Sequence, residues 1–434
     1  MNLLAATVLV VTVCAVVSRQ LLLRGPPIWL IFLAGAFAMV AVGALSVSGA
    51  GTAISDNFPI LVFLFSLFIF AAGLEQAGAL DHFARWILGR AGRASDLPLV
   101  LFVAVGVVSA FVINDALVLV GVPVLFAVAR RLRISAEPLL LTLAFSVTIG
   151  SVLTPFGNPQ NLLVSLGSGI SAPVATFFRY LLLPTIVNLL VGGLYLRRAF
   201  RSQFSGTAVT ATSVSPRVPL LPRGRLVGLG LRFPVLFLFP VTMIVMITVD
   251  VTASLTNGVS VPLYTIALGG AIGVLLLTPG RSELFARVDW SIMILFAALF
   301  VVVAGAVAGG LLSGIEAILP IPGPEQPVPA TAAIIATSLG GSQLFSNVPW
   351  VALQIPLLHA VGYGTATPWA WVALAAGSTL AGNLTLLGAA SNLIVVEQAE
   401  RAGVRIGLGR FAKIGLPLTA MTVAVLFVFL VAGL

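Results

Sequence analysis

Long apolar runs, each closed by a short polar or basic stretch, make up almost the entire chain. A helix that crosses a bilayer needs about 20 apolar residues, or slightly fewer when tightly fitted. Ten segments qualify: 2–18, 28–46, 58–74, 138–168, 174–196, 233–249, 262–278, 291–313, 368–398 and 412–432. Two further apolar stretches have polar centres. Residues 98–129 hold Asn114-Asp115, and 331–358 hold Ser346-Asn347-Val348-Pro349. Each is either one long broken helix or a re-entrant hairpin whose polar tip is buried midway. The basic residues decide between these. With both stretches as hairpins and the N-terminus outside, every Arg and Lys except Arg179 falls on the inner face. A crossing span at 98–129 puts Arg93 and Arg130 on opposite sides and destroys that bias. The expectation is a multi-pass protein of the cell inner (plasma) membrane with both termini outside.

Composition narrows the class. Of 434 residues, 59% are hydrophobic and 8% charged, against about 25% charged in soluble domains. A soluble enzyme and a large extramembrane domain are both excluded. The net charge of +9 resembles a nucleic-acid signal, but the arginines sit in short clusters between apolar runs and Lys413 is the single lysine. That is the pattern of loops at an anionic lipid face, so no nucleic-acid partner is expected. Cys14 alone allows neither an internal disulfide nor a thiolate metal site. No metal and no cofactor are expected. Residues 1–17 lack a basic leading region and read as a retained span. Residues 199–232, rich in Pro, Ser and Arg, read as a cytoplasmic linker, and 75–94 as an amphipathic helix at the inner interface. The six tryptophans fall mostly near segment ends, as an aromatic belt would.

An internal repeat is visible. Asn114 and Pro123 recur as Asn347 and Pro356, offset by 233. Thr154, Gly157, Asn161 and Leu162 recur as Thr385, Gly388, Asn392 and Leu393, offset by 231. Each half then holds five spans and one hairpin. Five is odd, so the second half enters from the opposite face and the repeat is inverted. The expected organisation is 1–198 as the first inverted repeat (hairpin 98–129, broken helix 138–168), the linker 199–232, and 233–434 as the second (hairpin 331–358, broken helix 368–398).

The segment 138–168 is about 46 Å long as a straight helix at 1.5 Å per residue, against a hydrocarbon core of about 30 Å. Pro155, Gly157 and Pro159 interrupt it near its centre. Exposed backbone groups cannot stay unpaired in lipid. Thr154, Asn158, Gln160 and Asn161 supply replacement donors and acceptors, with capacity left for a ligand. The second copy breaks at Gly382-Asn383-Leu384-Thr385 and Gly388, with Asn383, Thr385, Ser391 and Asn392 as its polar set. Inverted pairing brings both breaks and both tips, Asn114 and Ser346-Asn347, to one midplane cavity ringed by helix ends. The plainer alternative is that these asparagines only cap broken helices and staple the bundle. Asp115 is the sharpest residue, because a carboxylate at that depth is expensive. It reads as the proton-coupling group or as part of a cation site; capping the second hairpin arm is the simpler role. Its counterpart is Val348. The proposed core holds no Arg or Lys, which favours a small species of low charge.

These motifs resemble the ion transporter superfamily of arsenite permeases, NhaD-type sodium/proton antiporters and citrate/dicarboxylate carriers, nearest its anion permease branch. The marks are Phe111-Val112-Ile113-Asn114-Asp115-Ala116, the break from Thr154 to Leu162, Ser342-Gln343-Leu344-Phe345-Ser346-Asn347-Val348-Pro349, and the run from Ala381 to Leu393. The resemblance implies an all-α polytopic homodimer of the elevator type. In each protomer a mobile domain of two hairpins and two broken helices slides against a scaffold. Dicarboxylate carriers have Ser-Asn-Thr tips. Here Ile113-Asn114-Asp115 and Ser346-Asn347-Val348 keep the asparagines without the threonines. The Asn-Asp tip is similar to arsenite permeases, where proton-driven export is implied. The expected function is secondary active transport of a small inorganic or organic anion or a neutral oxyacid, coupled to H+, with arsenite- or antimonite-like export among the candidates. The alternatives are sodium/proton antiport and sodium-coupled di- or tricarboxylate uptake.

Overall fold

A computed structural model describes residues 2–22, 25–79, 82–83, 94–204, 233–256 and 261–434. The expected interfacial helix at 75–94 and the linker at 199–232 lie largely outside these. Among the described residues every regular element is helical. The first half contains α1 (Leu3–Leu22), α2 (Ile28–Ala41), α3 (Val47–Asp56), α4 (Phe58–Gln76), α5 (Leu97–Ser109), α6 (Asn114–Leu132), α7 (Glu137–Gly150), α8 (Pro159–Gly167) and α9 (Pro173–Ala199). The second contains α10 (Val235–Thr256), α11 (Leu263–Leu277), α12 (Trp290–Ala308), α13 (Pro327–Phe345), α14 (Asn347–Val361), α15 (Pro368–Ala381), α16 (Ala390–Arg401) and α17 (Leu408–Ala432). Six of them (α4, α9, α10, α12, α13 and α17) are long and apolar enough to cross a membrane.

The element boundaries recur. Shifting α1 or α4 by 232 residues lands on the start of α10 or α12, and α6 and α14 begin on the two motif asparagines. Packing is reciprocal as well. α2 lies against α12 while α11 lies against α4, and α6 lies against α16 while α14 lies against α8.

Both polar-centred stretches double back. Ser146 Oγ donates to Phe102 O at 2.5 Å and Thr154 Oγ1 donates to Ala110 O, each pair 44 residues apart, so α5 and α7 run parallel. α6 meets α7 in the opposite sense, with Gly121 beside Leu143 and Asn114 beside Ser151. α5 and α6 are therefore oppositely directed arms joined at 110–113. In the second half, Gln354 of α14 bonds Thr337 (3.1 Å) and Ser338 (3.3 Å) of α13, which fixes that pair as antiparallel. The turn between them sits at Ser346, where φ is +69°.

Glycine lets these helices approach closely. A Cβ on Gly150 would fall on the Gly106 carbonyl of α5, and one on Gly341 would enter the Trp350 ring. The belt expectation fails for three tryptophans. Trp350, Trp369 and Trp371 are buried. Trp350 packs on Phe345 at the tip of the second hairpin, and Trp371 donates to Gly364 O at 2.9 Å. Close helix packing near segment ends, rather than a lipid interface, accounts for them.

Candidate functional site

The break after α7 is held by side chains. Asn161 Nδ2 lies 2.9 Å from Ser151 O, 3.0 Å from Thr154 O and 3.4 Å from Val152 O, carbonyls left free where the helix stops. Asn158 caps α8, its Oδ1 accepting from Asn161 N at 2.8 Å. Thr154 ties the break to the hairpin through Ala110 O. Asn114, at the start of α6, sits among Ser109 Oγ, Val147 O, Gly157 O and Ser151 Oγ. Ser109 spends its single proton on Val147 O at 2.6 Å. The satisfied arrangement therefore has Asn114 Nδ2 donating to Ser109 Oγ (2.8 Å) and Oδ1 accepting from Ser151 Oγ (3.2 Å).

The second break is held more loosely. Asn392 Nδ2 donates to Gly382 O at 2.6 Å, and Thr385 Oγ1 donates to Gln343 Oε1 at 2.6 Å. The Oδ1 atoms of Asn347, Asn383 and Asn392, the Nδ2 of Asn383 and the Oγ of Ser342 are buried without a hydrogen-bond partner.

A cavity of about 90 Å³ lies where these parts meet. Of the residues singled out in the sequence, Asn114, Asp115, Asn158, Gln160, Ser346, Asn347 and Ser391 line it, together with Thr148, Val348 and Pro349. Ile28, Ile292, Leu295 and Phe296 close it on the side of α2 and α12. Thr154 and Asn161 stand one layer behind, engaged with backbone. Asn383, Thr385 and Asn392 are not among its lining residues.

Four helices, α6, α8, α14 and α16, begin at this cavity. Each N-terminus carries about half a positive elementary charge. Together they bring about +2 of partial charge against the single negative charge of an ionised Asp115. Among the described residues no Lys, Arg or His lines the cavity. The helix N-termini offer free backbone amides and partial positive charge to an electronegative oxygen placed there. Ser346 adds backbone strain at the rim, its positive φ being uncommon for a residue with a side chain.

Several polar residues escaped the sequence reading, Thr148 of the cavity lining and Ser109 beside Asn114 among them. Thr379 of α15 receives Asn158 Nδ2 (3.2 Å) and Gln160 Nε2 (3.3 Å), and stands 3.1 Å from Asn161 Oδ1. Ser151 receives Asn158 Nδ2 at 3.0 Å. Asp250, one residue past the apolar run 233–249, is fully buried in α10, where its Oδ2 accepts from Ala175 N of α9 at 2.9 Å. Conversely, Glu75 pairs with Arg287 at 2.8 Å, and Glu397 with Arg401 at 3.7 Å, both away from the cavity.

Comparison with known proteins agrees with this architecture. The YdaH transporter of Alcanivorax borkumensis is similar in fold, with a TM-score of 0.54 at 16% identity over 89% of this chain and 86% of that one. An uncharacterized transporter of Mycobacterium tuberculosis is 30% identical over 393 residues, 86% of each chain. The silicon efflux transporter LSI3 of Oryza sativa subsp. japonica is 27% identical over 415 residues, 85% of this chain and 84% of the relative. A family profile described as citrate transporter matches residues 12–377. Matched along most of its length, and with six membrane-length apolar helices among its described residues, this chain belongs to the CitMHS citrate transporter family of membrane transporters.

Proposed function

We propose that this protein is a proton-coupled secondary active transporter of a small oxyacid or its monoanion, with Asp115 as the coupling carboxylate. The observation that carries this reading is the convergence of four helix N-termini and Asp115 on one small cavity with no cationic side chain among its described lining residues. About 90 Å³ corresponds to the liquid volume of about three waters. That suits a compact hydroxylated species better than a tricarboxylate. Silicon, which the rice relative is named for exporting, travels in neutral water as the uncharged tetrahydroxide, and arsenite and antimonite are similarly small. Asn114, Asn158, Gln160, Ser346, Asn347 and Ser391 would contact the cargo. Thr154, Asn161, Asn383, Thr385 and Asn392 would hold the breaks that shape the site.

The halves 1–198 and 233–434 are read as inverted repeats around this site, an orientation supported by the 232-residue recurrence and the reciprocal packing. In this reading the hairpins and broken helices, with α9 and α17 packed against them, move as an elevator against the remaining helices, in a homodimer. Sodium coupling is a second reading, favoured by the unpartnered oxygens of Asn347, Asn383, Asn392 and Ser342.

Proteoliposomes holding the purified protein test both. An imposed proton gradient should drive flux of one species from a panel of silicic acid, arsenite, antimonite, phosphate, sulfate and citrate. Asp115→Asn should abolish the coupling. Flux of unchanged pH dependence in that variant removes Asp115 from the role, and flux that requires sodium instead favours the second reading.

A further inference from the structure

α1 and α2 enclose a groove of about 500 Å³ that is separate from the cargo cavity. The two are apolar helices joined by a short turn, and they approach most closely where Gly35 meets Thr12; a Cβ on Gly35 would stand 2.6 Å from Thr12 Oγ1. Val11 and Leu30, one on each wall, are exposed, so the groove opens on the surface of the molecule. Its two hydroxyls are already used. Thr7 Oγ1 donates to Leu3 O at 2.9 Å and Thr12 Oγ1 to Val8 O at 2.7 Å. What the groove presents is hydrocarbon, and a polar solute finds no partner in it.

Its length fits a lipid tail. On α2 the lining runs from Pro26 to Ala38, about 18 Å at 1.5 Å per residue. One leaflet of a hydrocarbon core of about 30 Å is about as deep.

The Pro26 end differs from the rest. Arg19 follows Ala15 of the lining by one turn on the same face of α1, and its Nε is buried without a hydrogen-bond partner. No ion pair among the described residues includes it. α2 begins at this end without a side-chain cap, and Ile28 N and Trp29 N have no acceptor among the described residues. Free amides at a helix start favour an anion. Trp29, in the same first turn, is of the residue type that sits at headgroup level. An orphan cationic donor, free amides and an interfacial ring therefore mark one end of an apolar groove.

We propose that this groove binds an anionic phospholipid, with one acyl chain between α1 and α2 and the phosphodiester at Arg19 and the start of α2. A phosphate oxygen accepts from the Arg19 guanidinium in a charge-assisted hydrogen bond, which Arg is well shaped to make. An apolar helix of a neighbouring protein would cover the hydrocarbon length but leave the Arg19 donor and the α2 amides unanswered. The lipid answers both, and the site holds whatever the cargo and its coupling ion are.

The purified full-length protein is delipidated in detergent, given equimolar phosphatidylglycerol and phosphatidylcholine, and read by native mass spectrometry. The unaltered chain should retain phosphatidylglycerol in about tenfold preference, the scale of one charge-assisted contact. Arg19→Gln should remove that preference, and Arg19→Lys should keep most of it. Ala34→Phe and Ala38→Phe fill the groove, leave Arg19 in place, and should lose both lipids. Leu190→Phe, at an exposed position of α9, should behave as the unaltered chain. Equal retention of the two lipids by the unaltered chain overturns the proposal, as does a preference that survives Arg19→Gln or the filled groove. The same spectra give the oligomeric state. Absence of retained lipid, with an oligomer that dissociates only in the groove variants, overturns the proposal by assigning the groove to a second copy of the chain.

Discussion

At the scale of single residues the two breaks are unequal. The Asn161 carboxamide serves three backbone carbonyls and meets Thr379, whereas Asn392 makes one short bond to Gly382 O and a long one to Thr385 O at 3.5 Å. Leaving a buried carbonyl unpaired costs about 1–3 kcal/mol. Asn161→Ala should therefore lower the unfolding temperature in detergent by several times the change seen for Asn392→Ala, read by circular dichroism melts of both variants. The asparagines were legible in the sequence because an amide beside Pro and Gly in an apolar run has few other uses. Thr379 and Ser151 were not, because a hydroxyl in a helix usually bonds its own backbone, as Thr379 also does with Ala375 O at 2.7 Å. Their second partners come from another element, which no local pattern announces. Asp250 was lost for a different reason: a charge ends an apolar run on hydropathy grounds, although the helix continues to Thr256.

Among elements, the doubling-back of 97–132 depends on how closely α5 and α7 approach. Gly150 faces the Gly106 carbonyl, a backbone atom that cannot swing aside, whereas a Cβ on Gly269 would meet nothing within 4 Å. Overpacking of this kind costs about 1–3 kcal/mol or more. Gly150→Ala should destabilise the protein and disperse its gel-filtration profile, with Gly269→Ala unchanged as the control. The break positions could be read from the sequence because Pro-Gly interruptions of an apolar run are local signals, whereas the helix Val47–Asp56 between two apolar runs was not read. The hairpins were read indirectly, from which side of the membrane the arginines fall on, since a polar centre alone suits a broken crossing helix equally well. Tryptophan misled for a related reason. Position near a segment end carries no information about whether a neighbouring helix covers the ring, and α13, α14 and α15 cover theirs.

The whole molecule divides by its contacts into two sets of helices. α1, α2, α4, α10, α11 and α12 pack largely among themselves, and the hairpins pack with α7, α9, α15 and α17. The basic-face ion pairs respect the division: Glu75–Arg287 lies within the first set, and Asp96–Arg197 and Glu137–Arg410 within the second. Asp250 crosses it, reaching from α10 to the start of α9. The repeat offset exposed the two halves in sequence, but this division cuts across both halves, so periodicity could not reveal it. A division of this kind permits one set to slide past the other while each keeps its internal bonds. If transport works by that motion, a covalent tie across the boundary stops it and a tie within one set does not. In a Cys14→Ser background, Ala175→Cys with Asp250→Cys should arrest flux when oxidised and recover on reduction. Ser338→Cys with Gln354→Cys, which joins the two arms of one hairpin, should transport equally well in both states. Equal flux through the oxidised and reduced α9–α10 pair would mean that these two helices do not separate during turnover.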